Sequence, residues 1–121
     1  MYQYKAKVIQ VVDGNTVILD IDLGFGIIMT DQNCQLFGIA TPELRDKDPV
    51  LREAALVAKN FLVSKVEGKT LLIDTIKDRD DKYGRMLVTL RSEEDRVPWN
   101  QVMIELGYAV AYFGESRRLH R

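Results

Sequence analysis

Val12-Asp13-Gly14-Asn15-Thr16-Val17-Ile18-Leu19-Asp20-Ile21-Asp22-Leu23 holds a tight turn followed by one cleanly alternating strand. Asp13-Gly14-Asn15 carries the turn chemistry of a hairpin, because glycine accepts unusual backbone angles and Asp and Asn bond their own backbone. After the turn, Val17, Leu19, Ile21 and Leu23 point one way and Ile18, Asp20 and Asp22 the other, the period of a half-buried strand. Upstream, residues 2–12 read as its partner strand. Downstream, Gly24-Phe25-Gly26 turns the chain into a third strand over residues 27–39.

Thr41-Pro42-Glu43 opens a loop that runs to Pro49. Asp48-Pro49 predicts a helix start, with Asp48 as N-cap and proline in the first turn. Leu51, Ala54, Ala55, Ala58, Phe61, Leu62 and Val66 then follow at helical spacing as one core-facing stripe, which stops at Gly68. Residues 70–76 and 85–90 predict two more strands, joined by the charged loop 77–84. A second helix is expected from Pro98 to Leu106, and an extended segment over residues 108–113. Three meandering strands, a helix, two strands and a helix is the order of a five-stranded OB-type β-barrel, an α+β fold.

At 121 residues the chain is expected to form one domain. Residues 1–113 are assigned to that domain and residues 114–121 to a basic C-terminal tail, Arg117-Arg118-Leu119-His120-Arg121 closing it. The tail reads first as a solvated end and second as a small phosphate-attracting arm. No apolar run reaches the roughly 18 residues of a membrane span; the longest, around residues 19–29, is broken by Asp20, Asp22 and two glycines. Met1-Tyr2-Gln3-Tyr4-Lys5 lacks a signal-peptide core, so a cytoplasmic protein is expected, in a host cytoplasm if the gene is a phage's. Cys34 and His120 are the sole cysteine and histidine, which excludes a disulfide framework, a cysteine zinc site and a His-centred triad. Seventeen basic against 18 acidic residues give a net charge of -1, without the basic excess usual in a dedicated duplex binder.

Three segments point further: Val12-Asp13-Gly14-Asn15-Thr16-Val17, Gly38-Ile39-Ala40-Thr41-Pro42-Glu43 and Asp80-Asp81-Lys82-Tyr83-Gly84-Arg85. In that order, with Gly107-Tyr108-Ala109 near the end, the chain resembles the staphylococcal-nuclease-like (thermonuclease) family. Leu19-Asp20-Ile21-Asp22-Leu23-Gly24-Phe25-Gly26 looks like the short stand-alone members of phage and bacteria. The resemblance implies an OB-type barrel with two helices and without the long C-terminal helix of secreted members. It also implies cleavage of DNA and RNA phosphodiester bonds with Ca²⁺. A hard cation needs several oxygen ligands, a carboxylate must activate water, and two arginines must clamp the phosphate.

By the same resemblance Glu43 matches the general base and Arg85 one catalytic arginine. Asp13 matches a metal carboxylate, and Thr41 the residue that lends a backbone carbonyl to the metal. Lys82, Tyr83 and Tyr112 match residues that contact the nucleic acid. Three positions depart: Asn15 and Ala40 stand at carboxylate ligand positions and Gln35 at the other arginine. Asparagine offers an oxygen without charge, alanine offers nothing, and glutamine cannot replace a cationic fork. Asp20, Asp22, Asp31 or Asp46 would have to compensate from an altered loop. Read without the family, Arg85 is a structural arginine paired with Asp74, Asp78 or Asp81, and Glu43 a surface partner of Arg45.

The expectation is therefore a nuclease-like domain with impaired or absent cleavage. It would act as a module that binds single-stranded nucleic acid or a protein, with no cofactor. The alternative is an active Ca²⁺-dependent endonuclease that uses Glu43 and Arg85. Trp99 is expected in the core or an interface, and Cys34 as a small buried hydrophobe.

Overall fold

Strand β1 (Tyr2–Asp13) turns Ala6, Val8 and Val11 inward, the last interval stretched by a bulge between Val8 and Gln10. The turn after it leads into β2 (Thr16–Gly24), which buries Val17, Leu19 and Ile21. Leu23 has the same parity, yet it is exposed, because the hairpin runs on past the part of the barrel that covers its inner face. Strand β3 (Ile27–Leu36) ends three residues before the expected limit. Gly38 takes a positive φ of 85°, which turns the chain out of the barrel, and the next two residues form a separate short strand, β4 (Ile39–Ala40). The computed structural model describes residues 2–80 and 84–113, without the side chains of 77–80; the tail over residues 114–121 lies outside the described residues.

Helix α1 (Pro49–Val66) begins as expected: the Asp48 carboxylate accepts from the Val50 N–H at 2.9 Å. Its buried stripe is narrower than the sequence predicts, Ala55, Ala58, Leu62 and Val66. Leu51 and Ala54 are exposed and Phe61 is only partly buried, since the first turns overhang the barrel rather than cover it. Strand β5 (Thr70–Asp80) extends four residues into what reads as a charged loop, and β6 (Met86–Arg91) follows. Helix α2 (Trp99–Glu105) falls inside the expected range, and only β7 (Val110–Ala111) of the extended segment pairs, with β4.

The closed barrel has the order β1-β2-β3-β6-β5, antiparallel except for the parallel contact of β3 with β6. That is the five-stranded, two-helix OB-type α+β fold the sequence predicts. Leu19, Ile21, Leu36, Ile73, Val88 and Leu90 fill the barrel, and Leu62, Val66 and Met103 close one end with the helices. Phe61 stacks on Tyr108 at 4.5 Å and meets Trp99 edge-on at 6.2 Å, tying together α1, α2 and the segment that leads into the last strand. Trp99 is thus a packing residue. Cys34 is fully buried, as expected.

Candidate active site

The turn between β1 and β2 is held locally, the Asp13 carboxylate accepting from the Asn15 N–H at 3.0 Å. Gly14 is buried beneath it. A Cβ there would stand 2.9 Å from Thr41 Cγ2 and 3.0 Å from Ala58 Cβ. Glycine is required by this close approach, which seats the turn on the loop after β4 and on α1. Asp13, Asn15 and Thr41, from two segments well separated in sequence, are in this way brought together.

The barrel adds a second cluster. Thr16 and Gln35 are Cα partners across β2 and β3, and Gln35 is level with Leu87 across the parallel β3–β6 contact. Arg85 enters just ahead of β6. Its Nη2 donates to Gln35 Oε1 at 2.6 Å and its Nη1 to Thr16 Oγ1 at 3.4 Å. The Thr16 hydroxyl in turn donates to Asn15 Oδ1 at 3.4 Å. Asn15, Thr16, Arg85 and Gln35 so form one hydrogen-bonded chain, in which the guanidinium meets the neutral Gln35 amide and the Thr16 hydroxyl. Of the carboxylates the sequence offers Arg85, Asp74 is engaged by Arg91 at 3.7 Å and Thr89 at 3.3 Å, and the Asp78 side chain and Asp81 lie outside the described residues.

Glu43 lies exposed in the turn after β4, its carbonyl accepting from the Asp46 N–H at 3.1 Å. Among the described residues its carboxylate has no hydrogen-bond partner. Ala40 pairs with Val110, and Tyr112 is held to Gly38 by its backbone N–H at 2.8 Å. Lys82 and Tyr83 lie outside the described residues. Thr16 is the contributor that sequence reasoning missed. Its signal was a hydroxyl residue at the first position of the second strand, next to the turn.

The donor set matches Ca²⁺ poorly. Asp13 supplies one carboxylate, of which one oxygen accepts from the Asn15 N–H, Asn15 supplies a neutral oxygen already accepting from Thr16, and Ala40 supplies none. Among the described residues no three His, Cys, Asp or Glu side chains stand close enough to hold a metal ion together. Nor do Asp20, Asp22, Asp31 and Asp46 converge on the turn: Asp22 caps the Gly24 N–H, Asp20 the Asp31 N–H, and Asp46 the Asp48 N–H.

Residues 33–121 match the family described as staphylococcal nuclease homologue. An uncharacterised protein of Methanocaldococcus jannaschii is 28% identical over 129 residues, covering 90% of this chain and 59% of that protein. A thermonuclease of Staphylococcus hyicus is 27% identical over 107 residues, covering 88% of this chain and 59% of its own length. The chain thus spans about three-fifths of the curated relatives it matches. Among the described residues no helix is long and apolar enough to cross a membrane.

Proposed function

The chain belongs to the staphylococcal nuclease homologue family, and on that premise we propose that it is a nuclease-like barrel that binds single-stranded nucleic acid with impaired or absent cleavage. The observation that carries this reading is the 2.6 Å bond from Arg85 to Gln35. A second arginine at position 35 would repel Arg85 until a phosphate came between them. Glutamine instead offers Arg85 an acceptor with no phosphate present, so one half of the clamp is spent holding the other. Loss of a single donor to the transition state costs about 10²–10³ in rate. The metal side is weakened as well, because affinity for Ca²⁺ follows the charge and number of its ligands, and of the three matched carboxylate ligand positions Asp13 keeps its charge while Asn15 and Ala40 do not. Arg85, Lys82, Tyr83 and Tyr112 are the proposed contacts to nucleic acid, by cation and aromatic face. Glu43, Asp13 and Thr41 are survivors of a catalytic site that no longer assembles its metal, so no cofactor is required for binding.

The test is cleavage and binding of fluorescent single-stranded DNA and RNA in Ca²⁺, in Mn²⁺ and in EDTA. Binding indifferent to chelator and to Glu43→Gln, with no metal-dependent product, is the expected result. The combined variant Asn15→Asp, Gln35→Arg and Ala40→Asp should gain Ca²⁺-dependent cleavage, and a further Glu43→Gln should remove it. Metal-dependent cleavage by the unaltered protein that disappears in Glu43→Gln would sink the proposal and make the protein an active endonuclease.

A further inference from the structure

The far end of the β2–β3 hairpin is built against two ordinary preferences. Gly24 pairs with Ile27, so Phe25 and Gly26 form a two-residue loop, with φ of 57° and 75°. Both values are positive, as in the turn that favours Asn-Gly, yet the first position holds a phenylalanine. A bulky side chain is uncommon in that backbone region and costs strain. It also gains no burial here, being 102% exposed. Ile27 and Ile28 beside it are 55% and 49% exposed, and Leu23 and Met29 are exposed as well. Residues 23–30 contain no charge and no proline.

The same segment is an open strand edge. Among the described residues β3 pairs with β2 along its length, but with β6 only at Cys34, Gln35 and Leu36. Between Ile27 and the bulge at Asp31 its other side has no strand partner among the described residues. Edges of this kind are normally blunted by lysine, proline or charge, and this one is not.

We propose that the β3 edges of two copies of this chain pair antiparallel about a two-fold axis at Ile28, giving one six-stranded sheet β1-β2-β3-β3-β2-β1. An antiparallel edge is its own complement, so the contact closes at two copies. With Ile28 opposite Ile28, Ile27 faces Met29, and Asp31 faces Phe25 rather than another carboxylate. No like charges meet. Asp31 is also held in its own hairpin, its N–H donating to Asp20 at 2.9 Å, which limits pairing to the flat stretch before it. Pairing sets the exposed Ile27, Ile28 and Met29 side chains of the two copies side by side on the joined sheet, where cross-strand apolar neighbours stabilise it. The hairpin tip lies roughly 30 Å along the 9 residues of β2 from Thr16, so pairing leaves the candidate active site open.

Sedimentation velocity from low to high micromolar concentration tests this, and the expected species is a dimer. Ile28→Lys, which brings two ammonium groups onto the axis, should raise the dimer dissociation constant about 100-fold or more. Phe25→Asn suits the turn better and should weaken the dimer while the monomer stays folded by circular dichroism. Ile28→Cys should form an inter-chain disulfide under mild oxidation, whereas Asn60→Cys on the exposed side of α1 should not. A monomer at every concentration overturns the proposal. So does a dimer that survives both substitutions and does not cross-link at position 28. Monomeric protein that binds phosphatidylcholine vesicles through Phe25 would assign the hairpin to lipid instead.

Discussion

Cys34 lies on β3 with its side chain inside the barrel, donating weakly to the Gln32 carbonyl at 3.6 Å. Burial disfavours the thiolate and pushes its pKa up from 9.0 to about 11. The native thiol should therefore resist alkylation at pH 8 and react on unfolding. Because the folded pKa is the higher one, the stability it contributes is complete below pH 9 and is lost as pH rises toward 11. Denaturation midpoints across that window should fall more steeply for the native protein than for Cys34→Ala, by about 2 kcal/mol at most. Equal slopes would mean that the thiol titrates freely. Its burial was legible from composition, since a lone cysteine amid strand residues usually packs as a small hydrophobe. The Arg85–Gln35 bond was not legible, because 50 residues separate its ends and only barrel closure brings them together.

At the scale of elements, α2 is hydrogen-bonded to the barrel through the side chain of Asn100. Asn100 is buried, accepts from the Leu90 N–H at 3.0 Å, and donates to the carbonyls of Phe37 at 2.9 Å and Val88 at 3.1 Å. These bonds join β6 to the point where β3 gives way to β4. Asn100→Ala would leave the Leu90 N–H and the Phe37 carbonyl without this partner, while the Val88 carbonyl keeps the Phe37 N–H at 2.8 Å, and should cost about 2–4 kcal/mol in urea unfolding. A loss below about 0.5 kcal/mol would show that water replaces the amide at no cost. The limits of α1 were readable from Asp48-Pro49 and Gly68, because caps are local chemistry. Its true buried stripe was not. Leu51 and Ala54 have the right spacing, but the barrel does not reach far enough to cover them.

For the whole molecule, a net charge of -1 sets the expected character of nucleic-acid binding. A few cations at one site release few counterions, so affinity for single-stranded DNA should fall with salt at a log–log slope of about -2 or shallower. A slope near -4 or steeper would place the binding surface elsewhere, on a broader run of basic residues. By itself the sequence determined the strand periods, the N-cap of α1 and the order of the elements along the chain. Each of these is a property of neighbours along the chain. Only the tertiary structure decided that Gln35 grips Arg85, that Thr16 links them to Asn15, and that the apolar run from Leu23 to Met29 stands outside the core. Periodicity tells which face of a strand is apolar, whereas closure of the barrel decides where along the strand that face meets a partner.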